Sequence, residues 1–311
     1  MSARILLSGT IGIDTIITPT DRADSVLGGS ACFAGVAARL FADSVDILSI
    51  IGNDFPGDWM VSLERQHVNL DHVVRYQGPS FAWTGEYYDN MNKRRTVSAK
   101  DEVMVNWEVD VPEVLRDHPV IVASCMVPAR QLQFLNQCRN PRLVLTDSMD
   151  KWITRQPEML DAVMHLSHIA LMNEDEAKGY AHTDSLLEAG EHILSLGPAF
   201  AIIKQGEYGA SLFARNARGG LRLFRCPAWP LRSVVDPTGA GDTFLGALSG
   251  YLACLPDLTP SFDDVKRGIV HATVAASFTC ESFSADALFT MDRKCFDERL
   301  TEYRAMTRWD W

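Results

Sequence analysis

Paired cysteine is the first thing this sequence lacks. Its seven cysteines, at positions 32, 125, 138, 226, 254, 280 and 295, come no closer together than 13 residues. That scatter holds no CxxC, no zinc-knuckle spacing and no disulfide framework, and it reads as buried thiols in a reducing compartment. Positive charge is also short, with 29 Lys and Arg against 40 Asp and Glu and a net charge of −11. Phosphate-rich partners draw basic surfaces, so nucleic acid and anionic membrane are not expected as partners. No apolar run reaches the roughly 18 residues of a membrane span. The short Ile5-Leu6-Leu7 run is no signal peptide either. The expectation is a cytoplasmic protein.

Missing motifs narrow the chemistry. Gly9 and Gly12 give only GxxG after the first apolar run, short of the dinucleotide GxGxxG. There is no GxxxxGK[ST] for a Walker-type nucleotidase and no GxSxG for an esterase. His165 and His168 stand three apart without further ligands, so they make no metal site.

What the chain does have is 311 residues, 47% of them hydrophobic, enough to bury a large core without staples. Short apolar runs end in glycine turns and are followed by helical stretches, the rhythm of an α/β sheet. Strands are expected at 4–8, 45–51, 120–123, 142–146, 168–172 and 199–204. Helices are expected at 57–66, 129–138, 157–165, 174–180, 185–196, 241–254, 263–280 and 292–307. A further helix follows Gly28-Gly29, with Ser30 as its N-cap; it is small and apolar nearly all round, and therefore buried. The segments flanking Asn216-Ala217-Arg218-Gly219-Gly220 form a hairpin. Residues 81–105 break the rhythm and read as a β excursion joined by residues 14–26. No repeat, low-complexity tract or linker divides the chain, so one domain is expected.

The most informative stretch is Asp236-Pro237-Thr238-Gly239-Ala240-Gly241-Asp242-Thr243-Phe244, preceded by Val234-Val235 as an expected strand and opening a long apolar helix. Backbone N–H groups of such a small-residue turn converge, and the helix N-terminus adds about half a positive charge. Gly239, Ala240 and Gly241 therefore make an anion site suited to a phosphoryl group in transfer. Asp242 would repel a bound phosphate. It either caps the helix or takes a proton from an attacking hydroxyl, and the pairing with an anion hole favours the second role.

The nine residues from Asp236 to Phe244 resemble the C-terminal signature of the PfkB (ribokinase-like) family of sugar and nucleoside kinases, and Gly28-Gly29 is similar to its first signature. The resemblance runs from Gly9 to about Phe283. It implies a three-layer α/β fold with a mostly parallel central sheet and a small β lid, the excursion above falling where the lid would be. It implies transfer of the γ-phosphate of ATP, with Mg²⁺ and in some members a monovalent cation, to a hydroxyl of a small-molecule acceptor. By the same resemblance Asp242 is the base, with Gly239, Ala240 and Gly241 as anion hole. Asp14 grips acceptor hydroxyls, and Gly28 and Gly29 let the acceptor lie against backbone. Lys204, Gly206 and Thr238 pass the ATP phosphates, while Asn173 and Glu176 match a motif tied indirectly to the metal. Lid strands imply pairing across a homodimer.

Positions 12, 30, 33 and 126 depart from the ribose-specific pattern: Gly12 replaces an Asn, Ser30 a Lys, Phe33 another Asn, and Met126 a Glu. Together with Trp83 they suggest a less polar acceptor pocket, so the expectation is a sugar or sugar-like acceptor other than ribose, with a nucleoside as alternative. A catalytically silent ligand- or partner-binding member is the alternative of another class, disfavoured by the intact Gly239–Asp242 set. Asn90, Asn92, Arg94 and Arg95 form a polar, basic turn in the expected lid, either a solvated tip or a clamp on the acceptor.

Overall fold

The computed structural model describes residues 3–308. In chain order its strands are Arg4–Ser8 (β1), Gly12–Ile17 (β2), Arg22–Gly28 (β3), Ser44–Gly52 (β4), Asn69–Tyr76 (β5), Phe81–Tyr87 (β6), Arg94–Lys100 (β7), Val120–Ala123 (β8), Leu143–Asp147 (β9), Ile169–Asn173 (β10), Phe200–Lys204 (β11), Ala210–Arg215 (β12) and Leu221–Cys226 (β13). Nine of them form one sheet in the order β13-β12-β11-β10-β9-β8-β1-β4-β5. Every neighbour pair from β11 to β5 is parallel, and the β12–β13 hairpin closes one edge antiparallel. The remaining four form a smaller sheet, β3-β2-β6-β7.

Side-chain alternation builds the three layers. Ile5 and Leu7 of β1, Val120 and Val122 of β8 and Ile202 of β11 face one core, shared with the Ser30–Ala38, Ala240–Ala253 and Phe262–Thr279 helices. Leu6 and Ile121 point the opposite way, toward Phe134 of the Pro128–Gln137 helix and Val163 of the Pro157–Leu166 helix. Further along that face, Ala201 and Ile203 meet Ala177 and Ile193 of the Glu174–Ala181 and Leu186–Ser195 helices. Every residue of Ser30–Ala38 is buried. Its small residues serve close approach: a Cβ on Gly246 would stand 2.1 Å from the Ala34 carbonyl, and one on Gly250 2.4 Å from that of Ala38. This i, i+4 match locks the two helices together and fixes where Ala240–Ala253 begins.

The structure amends several expectations. Val234-Val235 is not a strand; residues 227–239 are irregular, and Val235 N–H donates to Cys280 O (2.9 Å). Ser30 is not the N-cap. Gly29 holds that position, while the Ser30 hydroxyl accepts from Thr10 N and donates to Cys125 O. Strand β5 was not foreseen at all. At the far end of the lid, Glu102–Val105 is a short helix rather than strand. Cys254 and Cys295 are exposed, so the thiols are not uniformly buried.

Candidate active site

Parallel strands end together, and their C-terminal ends are where α/β sheets hold ligands. Here that edge carries Asp147 as the last residue of β9, Asn173 of β10 and Lys204 of β11, with Ser124, Cys125 and Met126 just past β8. The loop 236–239 delivers the Ala240–Ala253 helix N-terminus to the same edge. Gly239 is the N-cap with φ +80°, a left-handed conformation that costs other residues strain, and a Cβ there would lie 2.5 Å from the Phe33 ring. The turn is therefore set from two sides, by its own backbone and by the aromatic floor beneath it.

Lys204 Nζ forms an ion pair with Asp147 and lies 3.0 Å from where a Cβ on Gly241 would be. Its ammonium thus stands at the helix N-terminus, and two positive elements face the same space. Burial alone would lower the Lys204 pKa, but Asp147 and Glu176 beside it raise it on balance. Asp147 was not picked out from the sequence. It lies 57 residues from Lys204, so its signal was spatial: an acid closing a strand whose parallel neighbours end in Asn173 and Lys204.

Asp242 occupies the third position of its helix and caps nothing; among the described residues no hydrogen bond holds its carboxyl. Burial, then the Asp147 charge, push its pKa up to about 7, against the pull of Lys204 and Arg94. A carboxyl free of partners, titrating near neutrality beside the Gly239–Gly241 turn at a helix N-terminus, suits a general base. Asp14 on β2 is nearly enclosed, and its Oδ1 has no hydrogen-bond partner. Burial first, then Asp236 and Asp242, raise its pKa to about 8, with the Gly29 N–H opposing. The register of β2 slips between Asp14 and Ile16, a bulge that re-aims the strand at this position. Gly28 sits against the Asp14 carboxyl, where a Cβ would overlap Oδ2 at 2.0 Å, and Gly29 packs on the Thr10 carbonyl. The structure therefore brings Asp14, Gly28 and Gly29 together, facing Asp242.

Asn173 and Glu176 are engaged with each other: Glu176 N–H donates to Asn173 Oδ1 and Asn173 N–H to Glu176 Oε2, both at 2.8 Å. This capping box opens the Glu174–Ala181 helix at the strand edge. Burial, then Asp147, raise the Glu176 pKa to about 8. Thr238 N–H donates to Asp236 Oδ1 (2.8 Å), and its hydroxyl meets Tyr87 OH of β6 at 3.0 Å. Gly206 opens a single 3₁₀ turn, Gly206–Tyr208, directly after β11.

The residues expected to give a less polar acceptor pocket do not form an open wall. Phe33 and Met126 are each 1% exposed, one under Gly239 and the other against the Ser8 hydroxyl. Trp83 is nearly buried too, its Nε1 donating to Thr96 Oγ1 (3.1 Å). The basic turn divides. Arg95 turns outward to Glu86, whereas Arg94 lies over the Trp83 ring (5.0 Å), and its charge lowers the pKa of Asp14, Asp242 and Glu176 alike. Arg94 is thus the lid's cation directed at the site.

Comparison with known proteins is consistent with this geometry. Residues 14–289 match the family model described as pfkB family carbohydrate kinase. A cytidine kinase of Thermococcus kodakarensis is 28% identical over 276 residues, covering 86% of this chain and 94% of that protein. Among solved structures, a Methanocaldococcus jannaschii nucleoside kinase of the ribokinase family superposes with a TM-score of 0.75 at 17% identity, over 96% of this chain and 98% of that one. The aminoimidazole riboside kinase of Salmonella enterica, solved with aminoimidazole riboside and an ATP analogue, gives 0.74 at 20% identity, over 96% and 99%. At these identities the structural likeness establishes the ribokinase-like fold.

Proposed function

This chain belongs to the pfkB carbohydrate kinase family, and we propose that Asp242 is the base with which it moves the γ-phosphate of ATP onto a hydroxyl of a sugar or sugar-like acceptor. The observation that carries the reading is the Asp242 carboxyl, free of hydrogen bonds and titrating near 7, beside Lys204 and the Gly239–Gly241 turn. Asp14 accepts bonds from acceptor hydroxyls, its unpartnered Oδ1 being the free acceptor. Asp242 takes the proton of the attacking hydroxyl as that oxygen bonds to the γ-phosphorus and the bond to the departing ADP oxygen breaks. The backbone N–H groups of Gly239, Ala240 and Gly241, with Lys204 and Arg94, carry the charge of the phosphoryl group in flight. The ATP phosphates run past Lys204, Gly206 and Thr238.

Glu176, Asn173 and Asp147 offer hard oxygen donors on the same strand edge, and among the described residues no set of three is grouped as an all-protein metal cage. That donor chemistry fits Mg²⁺ held largely by phosphates and water. When bound, Mg²⁺ neutralises phosphate charge. A monovalent cation remains part of the proposal by family likeness.

A nucleoside acceptor is the second reading, favoured by the similarity to a cytidine kinase. The lid's outer strands β3 and β7 leave an edge unpaired among the described residues, which supports a homodimer through the lid. Among the described residues no helix is long and apolar enough to cross a membrane. The free thiols favour a cytoplasmic setting. The test is Mg·ATP turnover across sugars, polyols and nucleosides, run beside Asp242→Asn. Turnover with one acceptor class, lost in the variant, establishes the kinase and its base. Equal turnover in both proteins overturns the base assignment.

A further inference from the structure

The lid touches the nucleotide end of the site through one side chain whose role the reaction above leaves unassigned. Asn92 sits at the turn between β6 and β7, and it bonds across 115 residues of sequence to the 3₁₀ turn that follows Lys204. Asn92 Nδ2 donates to Glu207 Oε1 (2.6 Å), and Glu207 N–H donates back to Asn92 Oδ1 (3.3 Å). The fit is close. Asn92 Oδ1 lies 2.5 Å from where a Cβ on Gly206 would stand, so the glycine turn is shaped around the amide.

A second anchor lies on the neighbouring strand. Tyr87 OH meets Thr238 Oγ1 at 3.0 Å, which pins β6 over the anion-hole loop. Arg94 stands opposite Tyr87 in the β6–β7 pairing and two residues beyond Asn92. Among the described residues its side chain is otherwise held only by the Trp83 face and a 3.5 Å contact to Thr96 Oγ1. A long cation held so loosely takes its direction from the strand that bears it. The two anchors, one opposite Arg94 across the strand pair and one two residues before it, therefore set where its guanidinium points. The Asn92 anchor is exposed to water and weak enough to open and reclose.

We infer that Asn92 is a positioning residue: clasped to Glu207, it seats the lid against the nucleotide-side turn and holds Arg94 toward the reacting groups. The acceptor lid and the nucleotide turn then close as one unit. This inference rests on the kinase reading above.

The experiment replaces Asn92 by Asp, which sets a carboxylate against Glu207, and then adds Glu207→Gln, whose amide donates to the new carboxylate. In N92D the acceptor KM is expected to rise about 5-fold and kcat to fall about 3-fold, with ATP affinity in the absence of acceptor unchanged. N92D/E207Q is expected to regain both parameters. Hydrogen exchange gives a readout apart from turnover: amides of residues 88–100 exchange faster in N92D and return to wild-type rates in the double variant. Unchanged acceptor KM and exchange in N92D, or a double variant no better than N92D, overturns the inference. Wild-type protein without turnover on any acceptor overturns the kinase reading instead, and the exchange data then decide the clasp alone.

Discussion

The two sheets answer to different physics. Strand β8 of the large sheet is buried along its whole length, whereas β7 of the small sheet has no buried residue and leaves Val97 52% exposed. One sheet lies between two helical layers; the other has a single small cluster of Ile16, Trp83 and Tyr87 to hold it. The chemistry is divided along the same line. Lys204, Asp147, Asp242 and the Gly239–Gly241 turn stand on the large-sheet platform, while Arg94 and Asp14 come from lid strands. In the proposed reaction the base and the phosphate-binding turn belong to the platform, while the acceptor clamp Asp14 and the cation Arg94 ride on the more exposed sheet.

Several measurements break or sharpen that division. Removing the platform's base has the largest effect: Asp242→Asn lowers kcat by about 10²–10⁴ while the melting curve keeps its shape. Turnover together with a thermal melt checks this, and loss of activity through unfolding would refute it. Next comes packing. Ile202→Ala in β11 costs about 2–5 kcal/mol in urea unfolding, and Val97→Ala in β7 about 0.5 kcal/mol or less. Equal costs would mean the two sheets are not different in kind. Arg94→Ala follows, with a loss in kcat on the order of 10² and no change in the urea midpoint, because its work lies in the transition state and not in the fold.

The smallest effect is on pH dependence. Asp14 at about 8 and Asp242 at about 7 both titrate above their unfolded range in the folded chain. The folded state therefore keeps protons that the unfolded chain has already released, and the stability this gives falls steadily as pH rises from the unfolded carboxylate range of ~4 until it is lost above about 7 for Asp242 and about 8 for Asp14. The urea midpoint of the ligand-free protein should be lower at pH 8.5 than at pH 6. Asp14→Asn should shrink that difference, and an undiminished drop in the variant would rule out Asp14 as its source.

Much of the platform was legible in the sequence because it is periodic. The runs at 120–123 and 199–204 were read within a residue of their bounds, since a parallel strand buried on both faces is an unbroken apolar run closed by a turn. The lid was legible only as a disturbance of that rhythm. Arg22-Ala23-Asp24-Ser25 is polar in composition, and it is a strand, as its place in the 14–26 segment of the β excursion suggested, because β2 supplies the ladder. Tertiary pairing overrode composition there. Within the site, Asp242 and Gly239 announced themselves through local spacing. Asp147 and the direction of Arg94 did not, since each depends on where a partner remote in sequence ends up. The expected strand at Val234-Val235 failed for a related reason: β-branched residues lead into the turn, but no neighbouring strand offers them an edge.

The Phe33 ring beneath Gly239 ties two properties that an engineer would prefer to adjust separately. Phe33 belongs to the helix that opens after Gly28 and Gly29, and Gly239 to the turn proposed to receive the phosphate. Phe33 is buried beneath the turn and not open to the acceptor, so trimming it to change selectivity removes the floor of the proposed anion hole and brings a loss of rate with it. Mutational routes to a new acceptor should therefore run through the lid, where substitutions leave that floor intact, and substitutions at position 33 should slow turnover without opening the acceptor pocket.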